Sequence, residues 1–176
     1  LIPVIPQLLA NPDSPHYLLP HHWTLHQGYI ILGLLTSVFP FFIFLTAPIF
    51  GQLSDRYGRK KILAIAIAAS SLSYVVFALG ITLRSFAILF LSRAIHGITG
   101  GSVAVAQASI ADVTKPEDRA KNFGLIGAAF GLGFVIGPYL GGRLSDPATV
   151  SWFNAATPFW FAAILAGLNV LSLLYF

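Results

Sequence analysis

The chain has 176 residues, of which 9% are charged and 56% hydrophobic, and its mean hydropathy is +0.80. An ordinary globular domain carries about 25% charged residues, so too few polar groups remain to wet a folded exterior, and a soluble protein is excluded. With no cysteine, disulfide scaffolds, zinc clusters and thiol nucleophiles fall away, and the net charge of +4 is read as sidedness in a membrane with no nucleic-acid partner.

Apolar blocks separated by clusters of charge, Gly and Pro predict helices at about 1–9, 28–51, 61–81, 85–111, 118–142 and 153–176. Each complete block is long enough to cross ~30 Å of hydrocarbon. Helices are expected because lipid cannot satisfy free backbone groups, and runs such as Lys61-Ile62-Leu63-Ala64-Ile65 lack the alternation of barrel strands. The first block reads as the tail of a span that starts before Leu1. No basic flank precedes it, so a signal peptide is a poor reading.

Lys and Arg set the orientation. Arg56, Arg59, Lys60 and Lys61 gather around the 52–60 connector, and Lys115, Arg119 and Lys121 around 112–121. Arg84 and Arg143 stand on the other side, which puts the first two clusters in the cytoplasm. Residues 10–27 then form an outer loop. It holds His16, His21, His22 and His26, but no acidic or Cys partner lies close to the three with metal-like spacing, so no metal site is expected. Trp23 is expected at the membrane interface.

The second and fifth spans end alike. Pro48-Ile49-Phe50-Gly51-Gln52-Leu53-Ser54-Asp55 is echoed by Pro138-Tyr139-Leu140-Gly141-Gly142-Arg143-Leu144-Ser145-Asp146, with one residue inserted. Helices three apart run in opposite directions, so the echo predicts an inverted-topology repeat of three plus three helices. Such repeats mark many secondary transporters.

Four segments carry chemistry. Gly51 to Lys61 must turn tightly: Gly58 suits a positive-φ position, and Gly51 is expected to admit a neighbouring backbone. Asp55 at a helix C-terminus opposes the helix dipole, so an external partner is expected for it. In the fourth span, Arg93 lies ~12 Å in from Ser85 at 1.5 Å per residue. An arginine at that depth costs at least ~2.5 kcal/mol unless paired or wet. His96, one turn on, either titrates or hydrogen-bonds another helix. In the fifth span, Gly133, Gly137 and Gly141 lay a smooth strip for close packing, with Gly142 beside it and Pro138 expected to kink the helix. Thr114 and Glu117 have capping-box spacing, with Pro116 in the following first turn.

The inner-loop pattern of Gly51, Leu53, Asp55, Arg56, Gly58, Arg59 and Lys60 closely resembles the loop between helices 2 and 3 of the major facilitator superfamily. The resemblance implies that Asp55 and Arg59 join a charge network with Asp112, a latch on the outward-facing state. It also implies that Arg93 corresponds to a helix 4 arginine associated with proton coupling. Gly133-x-x-x-Gly137-Pro138-x-x-Gly141-Gly142 resembles the helix 5 motif of the family's antiporters, which favours export. The stretch from Gly97 to Gly142 is most similar to tetracycline-resistance-type drug/proton antiporters, matching the first six of their twelve helices. By that resemblance the chain is a six-helix, N-terminal half of a multi-pass transporter, expected in a bacterial inner membrane. A six-helix C-terminal half, lipid, protons and a small-molecule substrate are its expected partners. Two positions depart from those antiporters: Ser73 stands where they hold a helix 3 carboxylate, and Ile43 where they hold a polar residue. Tetracycline as substrate and carboxylate-based coupling therefore do not carry over.

Substrate is expected at the midplane near Arg93, His96 and Gln107. No phosphate-binding Gly-x-x-x-x-Gly-Lys-Ser/Thr loop is present, so protons and not a nucleotide cofactor would supply the energy. A half-size transporter working as a homodimer is the alternative. An intramembrane hydrolase is remote, since the chain has no Gly-x-Ser-x-Gly elbow and no pair of embedded carboxylates; an enzyme is not expected.

Overall fold

The computed structural model describes residues 4–12, 14, 16–20 and 23–175, and among these it contains helices and turns but no strand. The helices are α1 (Val4–Leu9), α2 (Leu25–Tyr57), α3 (Arg59–Thr82), α4 (Phe86–Thr99), α5 (Ser102–Val113), α6 (Arg119–Ser145) and α7 (Thr157–Tyr175). Counting α4 and α5 as one, five helical segments are long and apolar enough to cross a membrane.

Local chemistry explains where the elements differ from expectation. α2 starts at Leu25 because Thr24 and Gln27 form a reciprocal capping box, which satisfies donors that the apolar pattern does not reveal. It runs through Pro40, Pro48 and Gly51 to Tyr57, so most of the expected 52–60 loop is helix. The turn contracts to Gly58 alone, at φ 94°, a conformation open to glycine. The span expected at 85–111 is broken at Gly100-Gly101, a break that a continuous apolar block conceals. α6 continues through Pro138 and past Gly142 to Ser145. The Thr114–Glu117 capping box does not form. A short 3-10 turn over Pro116–Asp118 separates Thr114 from α6, and its hydroxyl instead accepts from Asn122 Nδ2 at 3.0 Å.

α3 is the central helix, packed on α4, α5, α7 and α2, while α2 also packs along α4. In lipid the apolar surface alone does not drive helices together, so small residues and interhelical hydrogen bonds carry the association. Both are present. Ser92 Oγ donates to the Ser73 carbonyl at 2.7 Å and Ser71 Oγ to the Ala163 carbonyl at 2.8 Å. Ser70 and Thr99 hydroxyls meet at 2.7 Å. Thr46 Oγ1 reaches the Ile98 carbonyl at 3.0 Å, beside the α4–α5 break. Bonds of this kind are worth about 0.6 kcal/mol each in a membrane.

Glycines let α2 and α4 touch. A Cβ on Gly97 would lie 2.7 Å from the Phe39 carbonyl oxygen, and one on Gly100 would lie 2.5 Å from Ile43 Cγ1. Gly51 and the α6 strip behave differently from expectation: a Cβ on Gly51, Gly133, Gly137 or Gly142 would meet nothing within 4 Å. Gly51 lies beyond Phe39, Phe42 and Ile43, the residues of α2 set against Gly97 and Gly100, and α6 lies at the bundle edge against α7, α5 and α1. Only Gly141, at the C-terminal end of the strip, is buried.

The apolar core joins α1, Leu19 of the connector that follows it, Leu35, Phe77, Ile81, Leu89 and Phe159. The Phe77 and Phe159 rings stack at 4.2 Å. The connector between α1 and α2 is tied down by the Leu18 amide on the Leu8 carbonyl and by His16 Nε2, 3.3 Å from the Ser145 carbonyl. Trp23 stacks on Phe86 with centroids 6.1 Å apart. His21 and His22, two of the three histidines weighed for metal, lie outside the described residues.

Candidate functional site

Two groups of residues converge, one at the end of the bundle and one inside it. At the end, the single-residue turn at Gly58 swings the start of α3 back against the last turn of α2. Arg59 then lies between two carboxylates, its NH2 2.8 Å from Asp55 Oδ1 and its Nε 2.8 Å from Asp112 Oδ2. Its NH1 donates to Ser54 Oγ at 2.9 Å. Ser54 is buried and donates in turn to the Gly51 carbonyl at 2.8 Å. The partner of Asp55 is thus the guanidinium one turn on, and the same guanidinium reaches the last turn of α5. Three helix ends are joined through one side chain. Arg56 stays outside this cluster and lies over the Tyr57 ring at 5.4 Å.

The echo between α2 and α6 has a structural counterpart. Ser145 is buried like Ser54, and it too bonds the carbonyl three residues back, Gly142, at 3.0 Å. The following aspartates diverge: Asp55 pairs with Arg59, whereas Asp146 caps the Ala148 amide at 2.9 Å.

Inside the bundle, a cavity of about 670 Å³ is lined by Ile5 and Pro6 of α1, a face of α2 from Tyr29 to Phe39, and Arg93 and His96 of α4. Arg93 and His96 share the cavity because three residues along a helix return to the same face. The Arg93 guanidinium lies over the Phe77 ring at 4.7 Å, and its Nε is buried with no hydrogen-bond partner among the described residues. His96 is held between rings, stacked on Phe39 at 4.9 Å and tilted against Tyr74 at 4.7 Å. Its Nδ1 lies 3.1 Å from Ser73 Oγ and its Nε2 3.4 Å from Tyr74 OH. Ser73 Oγ donates to the Ser70 carbonyl at 2.6 Å, so toward the imidazole it accepts, which assigns the proton to Nδ1 and leaves Nε2 a lone pair.

Gln107 does not join this cavity. It lies on α5 beyond the Gly100-Gly101 break, exposed, and eleven residues past His96 correspond to about 16 Å along a helix. Thr36, Phe39 and Tyr29 line the cavity from α2 and were not singled out from the sequence, because an apolar span does not disclose which face turns inward. Ser73 was named in the sequence only as a departure from the antiporters and Tyr74 not at all: packing alone shows that α3 presents them to His96. Ile43 fills the space over Gly100, which gives a reason for an apolar residue there.

Comparison with known proteins bears on both groups. Residues 1–176 match the Major Facilitator Superfamily throughout. The class H tetracycline resistance protein of Pasteurella multocida is 38% identical, the alignment covering 100% of this chain and 40% of that protein. The class C tetracycline resistance protein of Escherichia coli is 37% identical over 97% of this chain and 38% of its own length. Among solved structures, the human organic anion transporter MFSD10 superposes with a TM-score of 0.71 at 34% identity, covering 89% of this chain and 34% of that one. The chain therefore spans about 40% of the length of the curated relatives it matches. It belongs to the Major Facilitator Superfamily of membrane transporters.

Proposed function

We propose that the chain is one half of a proton-coupled exporter of small molecules that works by alternating access. The observation that carries this reading is the Arg59 bridge, which ties the ends of α2 and α5 to the start of α3 through two ion pairs of 2.8 Å. Side-chain exposure of 29% for Arg59, 63% for Asp55 and 57% for Asp112 leaves these pairs in contact with water. Exposed pairs contribute about 0–1 kcal/mol to stability, so they can break and re-form within a transport cycle at little cost. In this reading Gly51, Asp55, Arg56, Gly58, Arg59 and Asp112 make up a latch on the cytoplasmic side that favours the outward-facing state.

The cavity beside Arg93 and His96 is where substrate binds, with the second half of the full-length protein closing it. His96, which lines that cavity and whose Nε2 lies beside the Tyr74 hydroxyl, is the group that answers to the proton gradient. Of the α6 motif, Gly133, Gly137, Pro138 and Gly142 form the surface offered to helices beyond this chain, and Gly141 packs within it. Similarity to tetracycline resistance proteins supports drug efflux and a bacterial inner membrane.

Reconstitution of the full-length protein in liposomes tests the reading. An imposed pH gradient, acidic on the periplasmic-equivalent side, is expected to drive accumulation of a test drug on that side with matching proton movement. Flux that ignores the pH gradient would contradict it.

A further inference from the structure

We propose that Ser73 and Tyr74 are positioning residues for His96: the Ser73 hydroxyl fixes the imidazole proton on Nδ1, and the Tyr74 hydroxyl reverses from donor to acceptor when Nε2 takes up a proton. The inference rests on the transport reading only in taking His96 as the proton's site, and it assigns the sensing of that proton to α3. Geometry carries it. Both ring nitrogens of His96 meet side chains of that one helix, Nδ1 at 3.1 Å from Ser73 Oγ and Nε2 at 3.4 Å from Tyr74 OH. Thr99 Oγ1 donates to the His96 carbonyl at 3.0 Å and so accepts from Ser70 Oγ at 2.7 Å, which ties the backbone carrying the ring to α3 as well.

Ser73 is buried and fully engaged. Its hydroxyl donates to the Ser70 carbonyl at 2.6 Å, and its carbonyl accepts from Ser92 Oγ at 2.7 Å. A hydroxyl carries one proton, so only a lone pair is left toward Nδ1, and the neutral imidazole must supply the N–H. Rings on both faces, Phe39 at 4.9 Å and Tyr74 at 4.7 Å, oppose a rotation that would exchange the two nitrogens. Among the described residues the Tyr74 hydroxyl has one partner, Nε2, to which it donates while the ring is neutral. Uptake of one proton from solvent forms an N–H at Nε2, makes the ring a cation and breaks no covalent bond. The hydroxyl then accepts, and its own O–H is released. A hydrogen bond from a charged donor is stronger than one between neutral groups, so the Tyr74 oxygen holds the loaded ring more firmly than the empty one. Arg93 on the same helix and, across the cavity, Tyr29 of α2 are the other ionisable groups around the ring, while α1 contributes Ile5 and Pro6 to that space. Since α3 begins at Arg59, the helix that reads the ring is also the one whose first residue closes the ionic bridge.

Nitrogen NMR of the full-length protein carrying isotope-labelled histidine, in detergent and without any gradient, tests the inference, with His96→Gln identifying the His96 signals. Neutral His96 is expected to hold its proton on Nδ1 in the wild type. Ser73→Ala is expected to move that proton to Nε2, where the Tyr74 oxygen accepts it. Tyr74→Phe keeps a ring against the imidazole and is expected to leave the proton on Nδ1, while raising the proton concentration that half-loads the ring by about threefold or more. A neutral wild-type ring protonated on Nε2 would overturn the inference whether or not the variants fold. An unchanged tautomer in Ser73→Ala or an unchanged midpoint in Tyr74→Phe would also overturn it. So would a ring that takes up no proton anywhere in the pH range over which the protein stays folded. The Nδ1 tautomer and a moved midpoint, found beside flux that ignores the pH gradient, would support the inference and remove the export reading. Proton-driven flux with the ring protonated on Nε2 would do the reverse.

Discussion

At the scale of single residues, Arg59 separates function from stability. Arg59→Ala removes both ion pairs and the bond to Ser54, while Asp55→Asn and Asp112→Asn each weaken one pair. Because the carboxylates are more than half exposed, each variant is expected to insert and fold within about 1 kcal/mol of the wild type. Transport should nevertheless fall at least tenfold in Arg59→Ala and less in the single carboxylate variants. Membrane abundance measured beside vesicle flux checks both halves of that statement, and wild-type flux in Arg59→Ala would sink the latch. His96→Gln keeps a hydrogen-bonding side chain between Phe39 and Tyr74 but cannot take up a proton near neutral pH. It is expected to retain substrate counterflow and lose the dependence of flux on the pH gradient. Asp55 and Arg59 were legible in the sequence because they sit in a family motif, and Asp112 because the resemblance pairs them with an acidic residue at the end of helix 4. Gln107 was misplaced because polarity within a span says nothing of which turn reaches the cavity.

At the scale of elements, the glycines of α4 and α6 have opposite surroundings. A Cβ on Gly97 meets the Phe39 carbonyl and Phe42 Cβ at 2.7 Å, and backbone cannot rotate away as a side-chain tip can. Gly97→Ala is therefore expected to destabilise the bundle by about 1–3 kcal/mol, the usual cost of overpacking. Gly127→Ala meets nothing within 4 Å and is expected to leave stability unchanged or slightly improved through helix propensity. Melting of the two variants in detergent, followed by tryptophan fluorescence, distinguishes them. Hydropathy made the spans legible, but it could not reveal the break at Gly100-Gly101 or the contact of α2 with α4, since both depend on how closely two backbones approach. The Thr24–Gln27 capping box was present in the sequence as a Thr followed three residues later by Gln, a signal that extends α2 beyond its apolar run.

At the scale of the whole molecule, the bundle is lopsided. α3 is surrounded on several sides, whereas α6 leaves Phe130, Phe134 and Val135 exposed and its glycines, Gly141 apart, without neighbours. In a chain covering about 40% of its curated relatives, such a face suits lipid and the remainder of the transporter. The all-helical membrane class followed from scarce charge and long apolar runs. The cavity did not, because it exists only where α1, α2 and α4 converge. Thr36 lines that cavity, and the 176 residues contain no cysteine. In full-length protein whose remaining sequence carries no other accessible cysteine, Thr36→Cys provides one reporter of cavity access. Labelling it with a membrane-impermeant thiol reagent, in right-side-out and in everted vesicles, tests alternating access directly. Labelling from both faces is predicted, with Arg59→Ala shifting it toward the cytoplasmic face. Labelling confined to one face, unchanged by Arg59→Ala and by the pH gradient, would contradict the account.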